Sequence, residues 1–460
     1  MKKARWALTL SSSLAAMLAL PASLALANPF ERTLQNGFKV IVKEDRRAPT
    51  AVHMVWYRAG SVDEVDGVSG VAHVLEHLMF KGTPAYGPGE FNKRVAAAGG
   101  RDNAFTSRDY TAYFQQVPKD KLEDVMKLES DRMWHLTLDE KEFAQEIKVV
   151  MEERRLRTED QPGAMLNEQL HAVAFQAHPY RRPVVGWMND LENMTAEDAK
   201  DWYNTWYVPN NATMVVVGDV DHTQVFKWAD KHYGGMPPGV LPKRKPREEP
   251  EQQGTRRLTV KAPADLPQIT LAFKVPVLRD VAKDDDAFAL DVLASVLSGH
   301  DAARFSRALV KESRLAVSAD ASYDGVNRGP GMFYLSGSPS AGKTVAELEA
   351  AMRAEVAKVA RDGVGESELA RARAQLLASE IFKRDSMFAQ AMEMGQMETI
   401  GFSWQDIDRM TERLKAVTAA QVKAVAAKYF GDDALTVAVL DPQPIPTDLK
   451  SRAKPAGVRH

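Results

Sequence analysis

A loose internal duplication constrains the fold of this 460-residue chain more than any other feature. Tyr207 to Asp219 reads YVPNNATMVVVGD, and Tyr429 to Asp441 reads YFGDDALTVAVLD. The Tyr, an Ala, two Val and the final Asp coincide at a constant offset of 222 residues. Each copy reads as a helix end, a polar turn and a buried strand. The entrances match more loosely: Thr50 to Tyr57 (TAVHMVWY) and Gln268 to Val275 (QITLAFKV) both predict strands followed by a helical stretch. Between the copies, Met236 to Gly254 carries Pro237, Pro238, Pro242, Pro246 and Pro250 with the charged run Lys243 to Glu249, which predicts a solvated linker. Long amphipathic helices are expected over Lys119 to His135 and Glu140 to Arg157, with Thr344 to Arg361 and Glu366 to Phe382 as their second-half counterparts. The expected class is α+β, with two homologous domains, each a mostly antiparallel sheet with helices packed on one face.

The expected boundaries are a signal peptide at 1–27, a first domain at 28–235, the linker at 236–254, a homologous second domain at 255–445 and a tail at 446–460. The signal peptide rests on basic Lys2, Lys3 and Arg5, an apolar stretch from Trp6 to Leu20, and the small-x-small site Ala25-Leu26-Ala27. Cleavage near Ala27 implies an exported protein, in a bacterium a periplasmic one, with no stable membrane anchor. Removing three positive charges takes the net charge from −2 to about −5. No basic stripe stands out, which argues against nucleic acid as a partner. With no cysteine, a disulfide framework is excluded and stability must come from apolar cores.

One short segment carries chemistry. In His73-Val74-Leu75-Glu76-His77, taking His73 as zero, a helix sets His77 at about 40° and Glu76 at about −60°. All three side chains therefore share one side. Two His at i and i+4 suit one metal ion, and a carboxylate between them reaches water bound there. The order inverts the familiar His-Glu-x-x-His zinc pattern. Val71, Ala72, Leu78, Met79 and Phe80 make the helix apolar enough to be buried, and buried ionisable groups need a partner. Carrying the loose register of the entrances forward puts Asp291 to Ser298 (DVLASVLS) opposite this helix, with no His and no Glu. The duplication thus predicts one half with a metal site and one without.

Catalytic zinc usually has three protein ligands and an open position. The richest source of a third is Glu146 to Arg155 (EIKVVMEERR). Glu146 and Glu153 are seven apart and fall within about 20° on a helix, which suits a ligand and a carboxylate that orients one. Glu152 lies about 100° away and stays open on geometry alone.

With these residues in place, the chain resembles the pitrilysin/insulinase family of zinc metallopeptidases. It looks most like the branch of short two-domain chains that includes the mitochondrial processing peptidases and bacterial relatives. The resemblance covers nearly all of the chain after residue 27. It rests on HVLEH at 73–77, EIKVVMEERR at 146–155 and GGRDNAFTSRDYTAYF at 99–114. It implies His73, His77 and Glu153 as ligands of one Zn2+ per chain, Glu76 as general base and Glu146 as a supporting carboxylate. The implied activity is a metalloendopeptidase acting on unfolded peptides. The segment Asn103 to Phe114 alternates like a strand, and the resemblance implies that Asn103, Ala104 and Phe105 pair with substrate backbone.

The chain departs from the family at one point. Many relatives carry an Arg and a Tyr, seven residues apart, in the half without zinc, and here Val310 and Val317 stand in those places. This implies a dimer, either a heterodimer in which a non-catalytic sister subunit supplies the pair or a homodimer. Two other readings compete. Some relatives are non-catalytic assembly or chaperone-like subunits, but such chains usually lose ligands. Gly337-Ser338-Pro339-Ser340-Ala341-Gly342-Lys343-Thr344 fits the phosphate-loop pattern of nucleotide-binding modules, although Pro339 removes a needed N–H.

Overall fold

A computed structural model describes residues 28–445. The expected signal peptide and the tail lie outside the described residues. The chain begins with β1 Phe30–Thr33, β2 Lys39–Glu44, β3 Thr50–Tyr57, α1 Val71–Leu78, α2 Glu90–Ala97, β4 Arg101–Thr106 and β5 Thr111–Pro118. Then come α3 Leu122–His135, α4 Glu140–Arg154, α5 Pro162–Ala174, α6 Met188–Asn193, α7 Ala196–Trp206, β6 Ala212–Gly218 and α8 His222–Tyr233. After the linker follow β7 Arg256–Pro263, β8 Gln268–Val275, α9 Asp285–Ser298, β9 Ala316–Asp324 and β10 Gly331–Pro339. Last are α10 Val345–Asp362, α11 Glu366–Asp385, α12 Met387–Ile400, α13 Asp406–Ala416, α14 Ala419–Lys428 and β11 Leu435–Gln443.

The strands form two sheets, ordered β1-β2-β6-β3-β5-β4 and β7-β11-β8-β10-β9. Apart from β1 the two orders are the same, with β6 matched to β11 and β3 to β8 as the sequence repeat requires. One pair in each sheet runs parallel, β2 with β6 and β7 with β11, and the other neighbours are antiparallel.

The helices of each half cover one face of its sheet, as expected. Val40, Val42, Val55 and Tyr57 meet Val74 and Leu75 of α1 and Val125 of α3 in one core. The other face is covered from across the molecule. Ile41, Val52, Met54, Trp56, Val215 and Val217 pack on Ala391 and Met394 of α12. In return, Leu166, Leu170 and Ala174 of α5 cover Val260, Ala272, Ala438 and Leu440 of the second sheet. This explains why TAVHMVWY and ATMVVVG are nearly continuous apolar runs: strands covered on both faces lose alternation. A Cβ on Gly395 would stand 2.1 Å from the Trp56 ring, so α12 approaches this closely only with glycine there.

Three expectations need correction. Asn103 to Phe114 is not one strand but a hairpin, in which Ser107 to Tyr110 turns β4 back onto β5. The alternation crosses the turn because both strands present apolar residues to the same two cores. The linker is irregular, as five prolines dictate, but not free in solvent. Arg244 Nε donates to Asp63 Oδ1 at 2.7 Å, and Gln252 Nε2 to the Leu435 carbonyl at 2.7 Å. Glu249 accepts from the backbone N–H of Gln176, Ala177 and His178 at 2.8, 2.9 and 2.9 Å, and from Lys274 Nζ at 2.9 Å. The phosphate-loop reading also fails locally. Gly337, Ser338 and Pro339 belong to β10, and Thr344 caps α10 in a reciprocal box with Glu347, so the backbone donors are committed to a sheet and a helix start.

Candidate metal centre

The position of α1 is set at its N-terminus. Gly70, at φ 90°, turns the chain into the helix, and a Cβ there would meet the Val185 carbonyl oxygen at 2.5 Å. The buried Glu64 carboxylate accepts from the N–H groups of Gly70 and Ala72, each at 3.0 Å, and burial pushes it up to about 8. It thereby satisfies donors that a helix start leaves open. Val71, Ala72, Val74, Leu75 and Leu78 face the core. His73, Glu76 and His77 face a cleft of about 350 Å3, across which α4 presents Glu146 and Glu153.

Three donors converge there. His77 Nε2 lies 3.2 Å from Glu153 Oε2, and His73 Nε2 lies 3.9 Å from Glu153 Oε1. One donor atom from each of His73, His77 and Glu153 falls within 4.8 Å of the others. A tetrahedral ion with bonds of about 2.0–2.1 Å spaces its ligands by roughly 3.4 Å, so the set fits zinc with small adjustment. Burial and the His77 charge lower His73 to about 4, which leaves it neutral and ready to ligate. Burial opposes charge on His77, but hydrogen bonds to Glu146 and Glu153 outweigh it and raise His77 to about 9. Burial would raise Glu153, yet His77, His73 and Arg157 together hold it down to about 2. The cluster pairs imidazole with carboxylate around a point that suits a cation.

Glu146 contacts both His77 and Lys81. His77 Nδ1 donates to Glu146 Oε1 at 2.9 Å, which turns Nε2 toward Glu153, and Lys81 Nζ lies 2.5 Å from Glu146 Oε2. Glu152 instead points outward and pairs with Arg155 at 3.1 Å. Glu76 is pushed upward by burial, while Thr106 Oγ1 donates to its Oε2 at 2.6 Å. Asn103 and Ala104 line the cleft, on the terminal strand of their sheet. The Phe105 ring crosses to the other face, 5.4 Å from Trp56, so only its backbone stays on the edge. Val310 sits in a π-helical turn, Ser306–Glu312, and Val317 is exposed on β9; neither lines the cleft.

Sequence reasoning missed Thr106, Lys81, Arg157 and Glu64. Thr106 shares a strand face with Ala104, but nothing in the sequence ties it to Glu76, thirty residues earlier. Arg157 comes from a second π-helical turn, Arg155–Glu159, a feature frequent at functional sites, and pairs with Glu153. Two other histidines are held in structural contacts: His53 is fully buried against Gln115 at 2.6 Å, and His171 meets Tyr334 Oη at 3.0 Å. His178 lines a different cavity, beneath the linker.

Two family models match: "Insulinase (Peptidase family M16)" over residues 39–186 and "Peptidase M16 inactive domain" over residues 193–376. Zinc protease PqqE of Helicobacter pylori is 37% identical over 292 residues, which span 62% of this chain and 65% of that protein. The probable mitochondrial-processing peptidase subunit beta of Arabidopsis thaliana is 27% identical over 438 residues, 92% of this chain and 80% of that one. The crystal structure of a protease from Helicobacter pylori superposes with a TM-score of 0.84 at 30% identity, covering 90% of this chain and all of that one. The metal-binding spacing, the duplicated sheets and these likenesses agree: the chain belongs to the insulinase family of peptidases, family M16.

Proposed function

We propose that this chain is a zinc-dependent metalloendopeptidase that hydrolyses peptide bonds in unfolded peptides, and that it is the catalytic subunit of a two-chain enzyme. The convergence of His73, His77 and Glu153 within 4.8 Å, with Glu76 beside them, carries the reading. His73, His77 and Glu153 would hold one zinc ion, which would supply Lewis-acid chemistry for a substrate carbonyl and for water. Glu76 is the general base. Thr106 holds its Oε2, leaving Oε1 to take a proton from the attacking water and pass it to the leaving amine. Glu146 keeps His77 in the tautomer that presents Nε2. The terminal strand β4 leaves its outer edge without a strand neighbour, and an extended peptide laid along Asn103, Ala104 and Phe105 would pair with that edge, which favours unfolded substrates with loose sequence demands.

The two-chain assignment rests on Val310 and Val317. Aliphatic side chains neither carry charge nor donate hydrogen bonds, so they are unable to hold a tetrahedral oxyanion, and a sister subunit supplies that help. Export to the periplasm is supported by the basic start, apolar stretch and Ala-Leu-Ala site of residues 1–27. A complete ligand set argues against the non-catalytic alternative.

Peptide hydrolysis by wild type and Glu76→Gln, with zinc analysis, tests the mechanism. Glu76→Gln is expected to keep zinc and lose activity by about 10²–10⁴-fold. Unchanged activity refutes Glu76 as the base. Full activity of the purified chain, unaltered by any sister chain, refutes the two-chain assignment.

A further inference from the structure

The second half contains a cavity of about 550 Å3, lined by residues of that half alone. It lies among α9, α11, α12 and α13. Its location follows from the duplication: β3 and β8 match at an offset of 218 residues, and the same offset carried into the next helix sets Asp291 of α9 opposite His73 of α1. The cavity is therefore the second-half counterpart of the metal cleft, with different chemistry. Its walls are apolar, formed by Phe288, Phe388, Met392, Met397, Met410 and Leu414.

Its charged groups are unbalanced. Asp291, Asp324, Glu380 and Glu393 face it against the single ammonium of Lys383. Lys383 Nζ lies 2.6 Å from Glu380 Oε1 and 3.7 Å from Glu393 Oε1, so its charge is already shared by those two. Asp324 Oδ1 accepts from Asn327 Nδ2 at 3.1 Å. Asp291 has neither a hydrogen-bond nor an ion-pair partner among the described residues. Burial, reinforced by Glu380, pushes it up to about 6, and burial also pushes Glu393 upward. An unpaired carboxylate against apolar walls is unfavourable until a counter-charge arrives. A bare metal ion fits poorly: the donor group close enough to hold one among the described residues is His73, His77 and Glu153.

We propose that this cavity binds an organic cation, an ammonium or guanidinium group on an apolar body, with the charge beside Asp291 and Glu393. Phe288 and Phe388 contribute aromatic wall, with the Arg413 guanidinium already 5.3 Å from the Phe288 ring centroid and Phe388 packed against Phe114, and the methionines adapt to the body's shape. The volume lies within the range of small-molecule sites. The cation is either a free amine or the basic side chain of a peptide. The site does not depend on the peptidase reading, since none of its residues lines the metal cleft.

Calorimetric titration of the full chain tests this, in the Glu76→Gln background so that no peptide is consumed. One arm uses phenethylammonium against neutral 2-phenylethanol. The other uses the blocked peptide acetyl-Ala-Phe-Lys-Ala-amide against its norleucine analogue. The expected result is binding of the cation at least about 10-fold tighter than its neutral partner, in one arm or both, with a similar loss in Asp291→Asn. Cation preference in the first arm alone identifies a free amine, and tighter binding in the second identifies a peptide side chain. If Asp291→Asn does not fold, Glu393→Gln provides the same comparison. Equal binding of cation and neutral analogue, no binding of either cation at about 10 mM, or binding indifferent to these substitutions overturns the proposal.

Discussion

Glu249 offers the sharpest test of how the two halves are held together. It sits in the proline-rich linker, yet its side chain is only 6% exposed. It accepts three consecutive backbone N–H groups from Gln176 to His178 in the first half and the Lys274 ammonium of β8 in the second. Burial would raise its pKa, but these four donors hold it down to about 2, against an ordinary 4.5. The gap corresponds to roughly 3.4 kcal/mol of differential stabilisation. The linker runs over the surface, so solvent screening reduces this to about 2 kcal/mol. Glu249→Gln keeps the shape but turns an amide NH2 toward donors. It is expected to cost about 2 kcal/mol at pH 7, read by urea unfolding followed through tryptophan fluorescence.

The sign of the pH dependence follows from the lowered pKa. A carboxylate held below its unfolded value stabilises fully above about pH 4.5, and that contribution is lost as pH falls toward 2. The wild-type advantage over Glu249→Gln therefore persists from pH 7 to about 5 and falls below half by about pH 3. A gap that stays constant down to pH 3, or one below about 0.5 kcal/mol at pH 7, refutes the account of Glu249 as an ionic staple.

Three further outcomes are expected. Thr106→Val should lower kcat about 10-fold while KM and zinc content hold, because a hydrogen bond to a charged group is worth roughly 1.5–3 kcal/mol; Thr106→Ser should restore most of the rate. Glu146→Gln should weaken zinc binding about 10–100-fold in a competition titration with a chromophoric chelator, and unchanged affinity would show that His77 is oriented by something else. Gly395→Ala should lower the urea midpoint by the equivalent of about 1–3 kcal/mol, since its Cβ would stand 2.1 Å from the Trp56 ring.

Local pattern carried much of the fold. β3 and β8 run where TAVHMVWY and QITLAFKV predict, and the 222-residue offset reappears as the matched places of β6 and β11 in two sheets of the same order. The candidate cluster was legible in part because helix geometry places i, i+3 and i+4 on one side, a rule that needs no tertiary knowledge. Helix geometry left Glu152 open, and the fold places it in solvent beside Arg155 while Glu153 faces the histidines. What escaped depends on contacts between distant segments. The Thr106–Glu76 bond joins a strand to a helix thirty residues away, and Glu249 reaches a loop more than seventy residues earlier. Composition marks the linker as polar and proline-rich, but whether its charges meet water or backbone is decided by the surface beneath it.

The uninterrupted apolar runs carry a further consequence. In a sheet with one face in solvent, β3 and β6 would alternate; here both are buried at nearly every position. Their second face rests on α12 of the second half, which lies between β10 and β11 in sequence. Removing that helix would expose Ile41, Val52, Met54, Trp56, Val215 and Val217, each worth about 1.5–3 kcal/mol when buried. Their sum, roughly 9–18 kcal/mol, is comparable to the whole stability of a typical domain. The debt is mutual, because α5 of the first half covers Ala272, Ala438 and Leu440 of the other sheet. The second half thus has a reason to persist without metal ligands: it completes the core beneath the strands from which α1 and its histidines are hung. The cavity lined by Asp291 and its neighbours lies among the same helices, α11 and α12 included, so the segment that covers the first sheet also shapes that cavity.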